Sequence, residues 1–236
     1  MKTGQVLLIL ELTLVPTPVL IRNLGLVPYK PTYQAMQRFT ENRNIDTLDE
    51  LWVLQHSPVY TLGQAGKREH LLNTGNIPIY AIDRGGQATY HGPGQLIVYV
   101  LMDIKRRKWG VKKLVHALEQ AVIDYLTDQA IDAKRREKAP GVYVNGRKIS
   151  ALGLKIRRGC SYHGLSLNVD MDLTPFRGIN PCGYVGLEVT QLRDIGNFRD
   201  FEQTTSQFLP ILLNQLNLSS ITVTKNETSF RPKTGT

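Results

Sequence analysis

Apolar and polar residues change period several times along the chain, and each change predicts an element. Over residues 111–129 the apolar side chains fall at 111, 114, 115, 118, 122 and 126. That one-sided stripe is what a helix packed on a sheet requires. Helical spacing also runs from Thr32 to about Asn42 and from Phe198 to Leu216, where Pro210 predicts a break. Strands are expected in the short β-prone or apolar runs at 50–55, 77–82, 96–104, 141–144, 148–156 and 165–169. Residues 1–15, strongly apolar at 5–14, read as a first strand or an irregular start ended by Pro16 and Pro18, and 24–29 reads as a loop entering a helix. Residues 56–63 read as loop-rich, and 187–195 fits no single period. The clearest local signal is Asn145-Gly146, because both central residues of a type I′ hairpin turn need positive φ. Strands should flank it.

No low-complexity linker interrupts residues 1–218, so the economical reading is one α/β domain of α+β type, a mixed β-sheet packed by at least three helices. Residues 219–236 are polar, with Pro232 and Gly235, and read as a peripheral strand and a C-terminal tail. An apolar fraction of 42% supports a proper core. The longest apolar run, 96–102, has the length of a strand and not of a membrane span, and the N-terminus is a poor signal peptide. A soluble cytoplasmic protein is expected, with no membrane partner. Two cysteines exclude a disulfide framework, and with five scattered histidines they offer no paired metal-ligand spacing, so no metal site is expected. The formal charge of +9 attracts acidic partners in general. Nucleic acid is one such partner and an acidic carrier protein another. Lys105-Arg-Arg-Lys108 and Lys134-Arg-Arg136 also fit a merely solvated surface.

Chemistry concentrates between Asn145 and Gly183, which holds both cysteines, Cys160 and Cys182. Lys148 follows the predicted turn on a strand able to aim its side chain. Cys182, between Pro181 and Gly183, sits in a loop context that exposes a thiol. A cysteine is only a few per cent thiolate at neutral pH unless a cation or base lies beside it, at a reference pKa near ~8.5. An ammonium would lower that value, and a neutral lysine could take the proton directly. The plain alternatives are a surface lysine and a cysteine acting as a small buried hydrophobe. A second candidate is the glycine-rich stretch 83–95 between two strands. It does not run from strand into helix, so it is no phosphate loop. Its glycines suit either close approach of backbone to a ligand or tight turns, and Arg84, Thr89, Tyr90 and His91 tilt the reading toward a pocket wall. His56, beside Pro58, is a candidate for lining a site or for a local hydrogen bond, and His116 reads as structural. Tyr-His-Gly occurs at 90–92 and 162–164, too short a match to be a repeat.

Five ordered strings, HSPVYTLG at 56–63, RGGQATYHGPGQ at 84–95, GVYVNGRKISALGLKIRRG at 141–159, YHGLSLNVDMDL at 162–173 and INPCGY at 179–184, together closely resemble the lipoyl(octanoyl) transferase family, across roughly residues 30–195. The resemblance implies a fold similar to the catalytic domains of biotin and lipoate ligases. It implies an enzyme, an acyltransferase that moves octanoyl from octanoyl-acyl carrier protein to a lysine of lipoyl domains. Those domains belong to 2-oxoacid dehydrogenase E2 subunits and the glycine cleavage H protein. No cofactor is implied. The family pattern puts the acyl-thioester nucleophile on Cys182 and the lysine that depresses its pKa, and serves as general base, on Lys148 and not Lys155. It puts substrate binding on Arg84, Gly85, Gly86, Gln87, Ala88, Thr89, Tyr90 and His91, on Ala151, Leu152 and Gly153, and on Gly164, Leu165 and Ser166. His91 and His163 are alternative bases for the acceptor lysine, and Cys160 has no family role. The rivals are an ATP-dependent lipoate or biotin ligase on the same fold, an amidotransferase moving octanoyl between domains, a cysteine peptidase, and a basic nucleic-acid-binding module. Spread-out cations and the lack of a helix-turn-helix or RNA-binding signature argue against the last.

Overall fold

A computed structural model describes residues 15–196 and 200–221, so the strand expected at 5–14 lies outside the described residues. Along the chain come β1 (Thr17–Val27), α1 (Tyr29–Glu41), β2 (Asp49–His56), β3 (Val59–Leu62), β4 (Ile79–Ala81), β5 (Ala88–His91) and β6 (Gln95–Leu101). There follow α2 (Val111–Asp128), β7 (Lys134–Arg135), β8 (Val142–Val144), β9 (Arg147–Arg157), β10 (Cys160–Asn168), α3 (Phe201–Gln215) and β11 (Leu218–Ile221). Eight strands make one mixed sheet in the order β11-β1-β2-β6-β10-β9-β8-β7, with β1 parallel to both neighbours and the remaining pairs antiparallel. The peripheral strand expected after 218 is β11, at the sheet edge.

The run at 96–101 is continuously apolar because both faces of β6 are covered. Leu96, Val98 and Val100 pack with Leu118, Val122, Phe208 and Leu212 of α2 and α3. Ile97, Tyr99 and Leu101 turn to the opposite side, against Ala35 and Met36 of α1. The sheet is thus the middle of three layers.

Three sequence expectations need correction. Residues 56–63 and 84–95 are not merely loops. They contribute β3 and β5, which pair antiparallel from Val59 with His91 to Leu62 with Ala88 and join β4 in a second, three-stranded sheet. Four-residue strands flanked by glycine carry too little period-two signal to be read. Residues 24–27, expected as loop, are the end of β1, which has Pro18 near its start, where a missing N–H is tolerated. Pro210 does not break α3; it sits inside the helix with Ser206 one turn before it, both exposed, so the carbonyl deprived of its usual partner faces water.

The hairpin at 145–146 forms as expected, with Asn145 at φ 49, Gly146 at φ 78 and Val144 paired with Arg147. A register shift follows at once, Tyr143 pairing with Lys148 but Val142 with Ser150. Such a bulge re-aims side chains. It does so at Lys148.

Candidate active site

Backbone contacts grip Lys148 from both edges of β9. β8 lies on one side. On the other, where β10 has ended, residues 188–190 take its place, with Lys148 N–H donating to the Glu188 carbonyl at 2.9 Å and Thr190 N–H donating to the Lys148 carbonyl at 2.9 Å. The same segment returns the Cys182 loop to this strand. That loop, Pro181–Gly183, is a single 3₁₀ turn in which Cys182 has φ 56 and Gly183 φ 78. A left-handed cysteine is rare and costs of order 1 kcal/mol, and strain of this kind gathers at functional sites. The turn is tied down by Gly183 N–H to the Asn180 carbonyl at 2.9 Å and Asn180 N–H to the His70 carbonyl at 2.9 Å.

Lys148 Nζ thereby lies 2.9 Å from Cys182 Sγ and donates a second hydrogen bond, also 2.9 Å, to the Pro140 carbonyl. The ammonium rests 5.3 Å from the Tyr143 ring centroid. Lys148 is only 4% exposed, whereas Cys182 keeps partial access to solvent. Burial works against the lysine charge, yet the Cys182 sulfur and the Tyr143 phenol beside it outweigh burial and hold the amine above the ordinary lysine range. A raised amine pKa favours the ammonium form of Lys148 over a neutral lysine taking the proton.

Cys182 lines an open cleft whose empty space, solvent at its opening included, amounts to about 500 Å³. The residues expected at a binding site converge on it. Arg84, Gly86, Gln87, Ala88, Thr89 and His91 line it from the small sheet and the loop before β5, Ala151, Leu152 and Gly153 from β9, and Gly164, Leu165 and Ser166 from β10. Two residues expected there do not line it. Gly85 acts through backbone, its N–H donating to the Leu154 carbonyl at 2.9 Å. Tyr90, alternating with Thr89 and His91 on β5, points into an apolar cluster with Tyr60 and Phe176. Gly153 is needed for closeness, since a Cβ there would lie 2.8 Å from Arg84 Cδ and 3.1 Å from the Gly85 carbonyl. Lys155 is not in this site.

Arg84 is buried, and among the described residues its guanidinium is held by a hydroxyl and by backbone carbonyls. Its guanidinium donates to Thr61 Oγ1 and to the carbonyls of Thr61, Gly85 and Gln87, at 2.7–3.3 Å. It therefore ties the glycine loop to β3, and burial lowers its pKa.

Four lining residues were not singled out for substrate binding: Tyr29, Ile97, Tyr99 and His163. The first opens α1, and the next two lie within a strand that reads as plain core, so only the tertiary arrangement reveals them. Burial disfavours the charged form of the histidines around them. Burial lowers His56 to about 4, and burial together with His56 lowers His91 to about 3. His91 Nδ1 lies 2.7 Å from Gln95 Oε1, while Gln95 Nε2 donates to Asn168 Oδ1 at 2.9 Å and Asn168 Nδ2 to the Thr190 carbonyl at 2.9 Å. That chain leaves Gln95 Oε1 as an acceptor, so the His91 proton sits on Nδ1. His163, at φ 60 within β10, places Nε2 3.1 Å from Asp83 Oδ1. Burial raises the Asp83 pKa, but hydrogen bonds from His163, Tyr162 and Tyr33 win and hold the carboxyl well below its usual range. Cys160 lies elsewhere, at the start of β10, buried, with burial pushing its thiol up.

The model of the lipoyl protein ligase A/B catalytic domain matches residues 28–217. An octanoyltransferase of Thiobacillus denitrificans is 57% identical over 202 residues, covering 85% of this chain and 93% of that protein. The chain belongs to the octanoyltransferase family. A second family member, from Dechloromonas aromatica, is 56% identical over 200 residues, with 85% and 98% covered. Membership makes the protein an acyltransferase. Among solved structures, lipoate-protein ligase A bound with ATP superposes with TM-score 0.68 at 14% identity over 88% of this chain and 90% of that one. Biotin protein ligase of Aquifex aeolicus in complex with biotin and ATP gives 0.51 at 14% over 84% and 70%. At such identities the likeness is one of fold. No helix among the described residues is long and apolar enough to cross a membrane.

Proposed function

We propose that the protein transfers an octanoyl group from octanoyl-acyl carrier protein to a lysine of lipoyl domains through an acyl-thioester on Cys182, the first step of protein lipoylation in the cytoplasm. The acceptors would be the domains of 2-oxoacid dehydrogenase E2 subunits and of the glycine cleavage H protein. The observation that carries the reading is the 2.9 Å contact between Lys148 Nζ and the Sγ of Cys182, a residue that lines the cavity. Names of the 54–57% identical relatives support the octanoyl group.

Each step balances within the pair. The Cys182 sulfur attacks the thioester carbonyl carbon, and the tetrahedral oxyanion is met by backbone N–H groups near Gly153 or Gly183. Collapse breaks the bond to the pantetheine sulfur, which takes a proton from Lys148. The acyl-enzyme is again a thioester, so no ATP is consumed. The acceptor amine then attacks, its surplus proton passes to the now neutral Lys148, and the Cys182 thiolate leaves beside a restored ammonium. His91 is the weaker base, being held neutral down to about pH 3 by burial. Burying a methylene is worth about 0.8 kcal/mol, so about seven contribute roughly 5 kcal/mol, enough to bind the chain by fit. Walls from Ile97, Ala151, Leu152 and Leu165 supply apolar contact.

The test supplies one acceptor lipoyl domain with either octanoyl-acyl carrier protein or free octanoate plus ATP. Octanoylated domain from the carrier alone is expected. Product only from octanoate plus ATP would make the protein a ligase and overturn the reading.

A further inference from the structure

The turn that grips Lys148 is itself held from outside the site. Gly141 has φ 135, and a Cβ there would come within 2.7 Å of Lys148 Cε, so only glycine lets the turn lie against the lysine stem. Its neighbours do the gripping: the Pro140 carbonyl accepts from Nζ, and the Tyr143 ring, whose hydroxyl donates to the Ala139 carbonyl at 3.0 Å, flanks it. The anchor of this turn is on another element. Gly141 N–H donates to Glu119 Oε1 at 2.8 Å, and Arg135 Nε donates to Glu119 Oε2 at 3.1 Å. Glu119, on α2, is 7% exposed, between Leu118 and the buried Ala121 and Val122. A glutamate is almost never this buried unless it is paired. Arg135 is fixed in turn by the Gln120 side chain at 2.8 Å and the His116 carbonyl at 3.1 Å.

We infer that Glu119, which touches neither sulfur nor ammonium, is a positioning residue for the Lys148–Cys182 pair, holding the turn whose Pro140 carbonyl fixes the ammonium beside the sulfur. The inference rests on the pair acting as proposed above. Without the carboxylate, the buried Gly141 N–H loses its partner, the turn relaxes, and the ammonium moves away from the sulfur. Attraction between the two charges falls with their separation. The thiolate is then less populated at neutral pH, while at alkaline pH the thiol ionises without help.

The measurement is the rate of iodoacetamide alkylation of the Cys182 peptide in the intact chain across pH, for wild type, Glu119→Ala, Glu119→Gln and Lys148→Ala, with thermal melting alongside. Glu119→Ala is expected to react about tenfold more slowly at pH 7 and within about twofold of wild type at pH 10. Glu119→Gln keeps an acceptor for Gly141 N–H and should lie nearer wild type. A purely structural glutamate would lower the melting temperature without moving the pH profile. An unmoved Glu119→Ala profile beside a shifted Lys148→Ala profile overturns the inference alone; both unmoved overturns the pair with it. Should Glu119→Ala not melt cooperatively, Glu119→Asp withdraws the carboxylate by one methylene and is judged on the same outcomes.

Discussion

Lys148 Nζ reaches Cys182 Sγ across 34 residues of chain, and the same ammonium also donates to the Pro140 carbonyl at an equal 2.9 Å. Two hydrogen bonds and an aromatic neighbour leave the amine little freedom. The lysine therefore works from a fixed point, which a flexible surface lysine cannot do.

Replacing Lys148 with Ala removes the amine beside the sulfur and, in the proposed mechanism, the proton carrier of each half-reaction. Octanoyl transfer should fall by at least about a hundredfold. Lys148→Arg should not restore it, because a guanidinium does not give up its proton. Circular dichroism and melting check that the variants stay folded. Transfer within a few-fold of wild type by folded Lys148→Ala would remove the residue from the mechanism.

How much of this was readable beforehand depended on whether a signal was local. The Asn145-Gly146 turn demanded positive φ at both positions, and it is found. The stripe from 111 onward matches α2 almost residue for residue. Cys182 stood out because its loop neighbours restrict backbone and leave space. Tyr29 and Tyr99 were invisible, since being brought to one cavity by α1 and β6 leaves no trace in either segment. The same is true of Glu119, which lies beside the apolar stripe of α2 and gains its partners only when residues 135 and 141 fold back. Pro210 misled because the carbonyl it orphans belongs to exposed Ser206, where water can replace the missing N–H.

Gly183→Ala tests the shape of the cysteine turn. The residue holds φ 78, and an added Cβ would lie 2.6 Å from the Gln87 amide. Stability should drop by about 1 kcal/mol from the left-handed backbone. Transfer should drop far more than stability, because the turn carrying Cys182 must shift. Steady-state kinetics and denaturant melts on one preparation separate the two. Equal wild-type turnover would argue that the turn geometry is not needed.

The buried histidines set the acid side of stability. His56, its folded pKa lowered to about 4, donates from Nδ1 to the Val27 carbonyl at 2.8 Å and accepts from Tyr99 Oη at 2.7 Å. With the folded value below the unfolded ~6.5, the unfolded chain binds the proton first. Stability is then whole above about pH 6.5 and is lost as pH falls toward 4, by up to about 1.4 kcal/mol per pH unit per histidine. His91 extends the same loss toward pH 3. Urea melts between pH 7.5 and 4.5 should show the fall, with a shallower slope in His56→Gln. A wild-type stability flat over that range would contradict burial of the neutral ring.

The central claim is that Cys182 carries the acyl group. Mixing the protein with octanoyl-acyl carrier protein, quenching in acid and analysing peptides by mass spectrometry measures it directly. The expected result is one octanoyl addition on the Cys182 peptide, unchanged in Cys160→Ser and lost in Cys182→Ser. Full octanoyl transfer to a lipoyl domain by Cys182→Ser, or an octanoyl mass on Cys160 alone, would contradict the account.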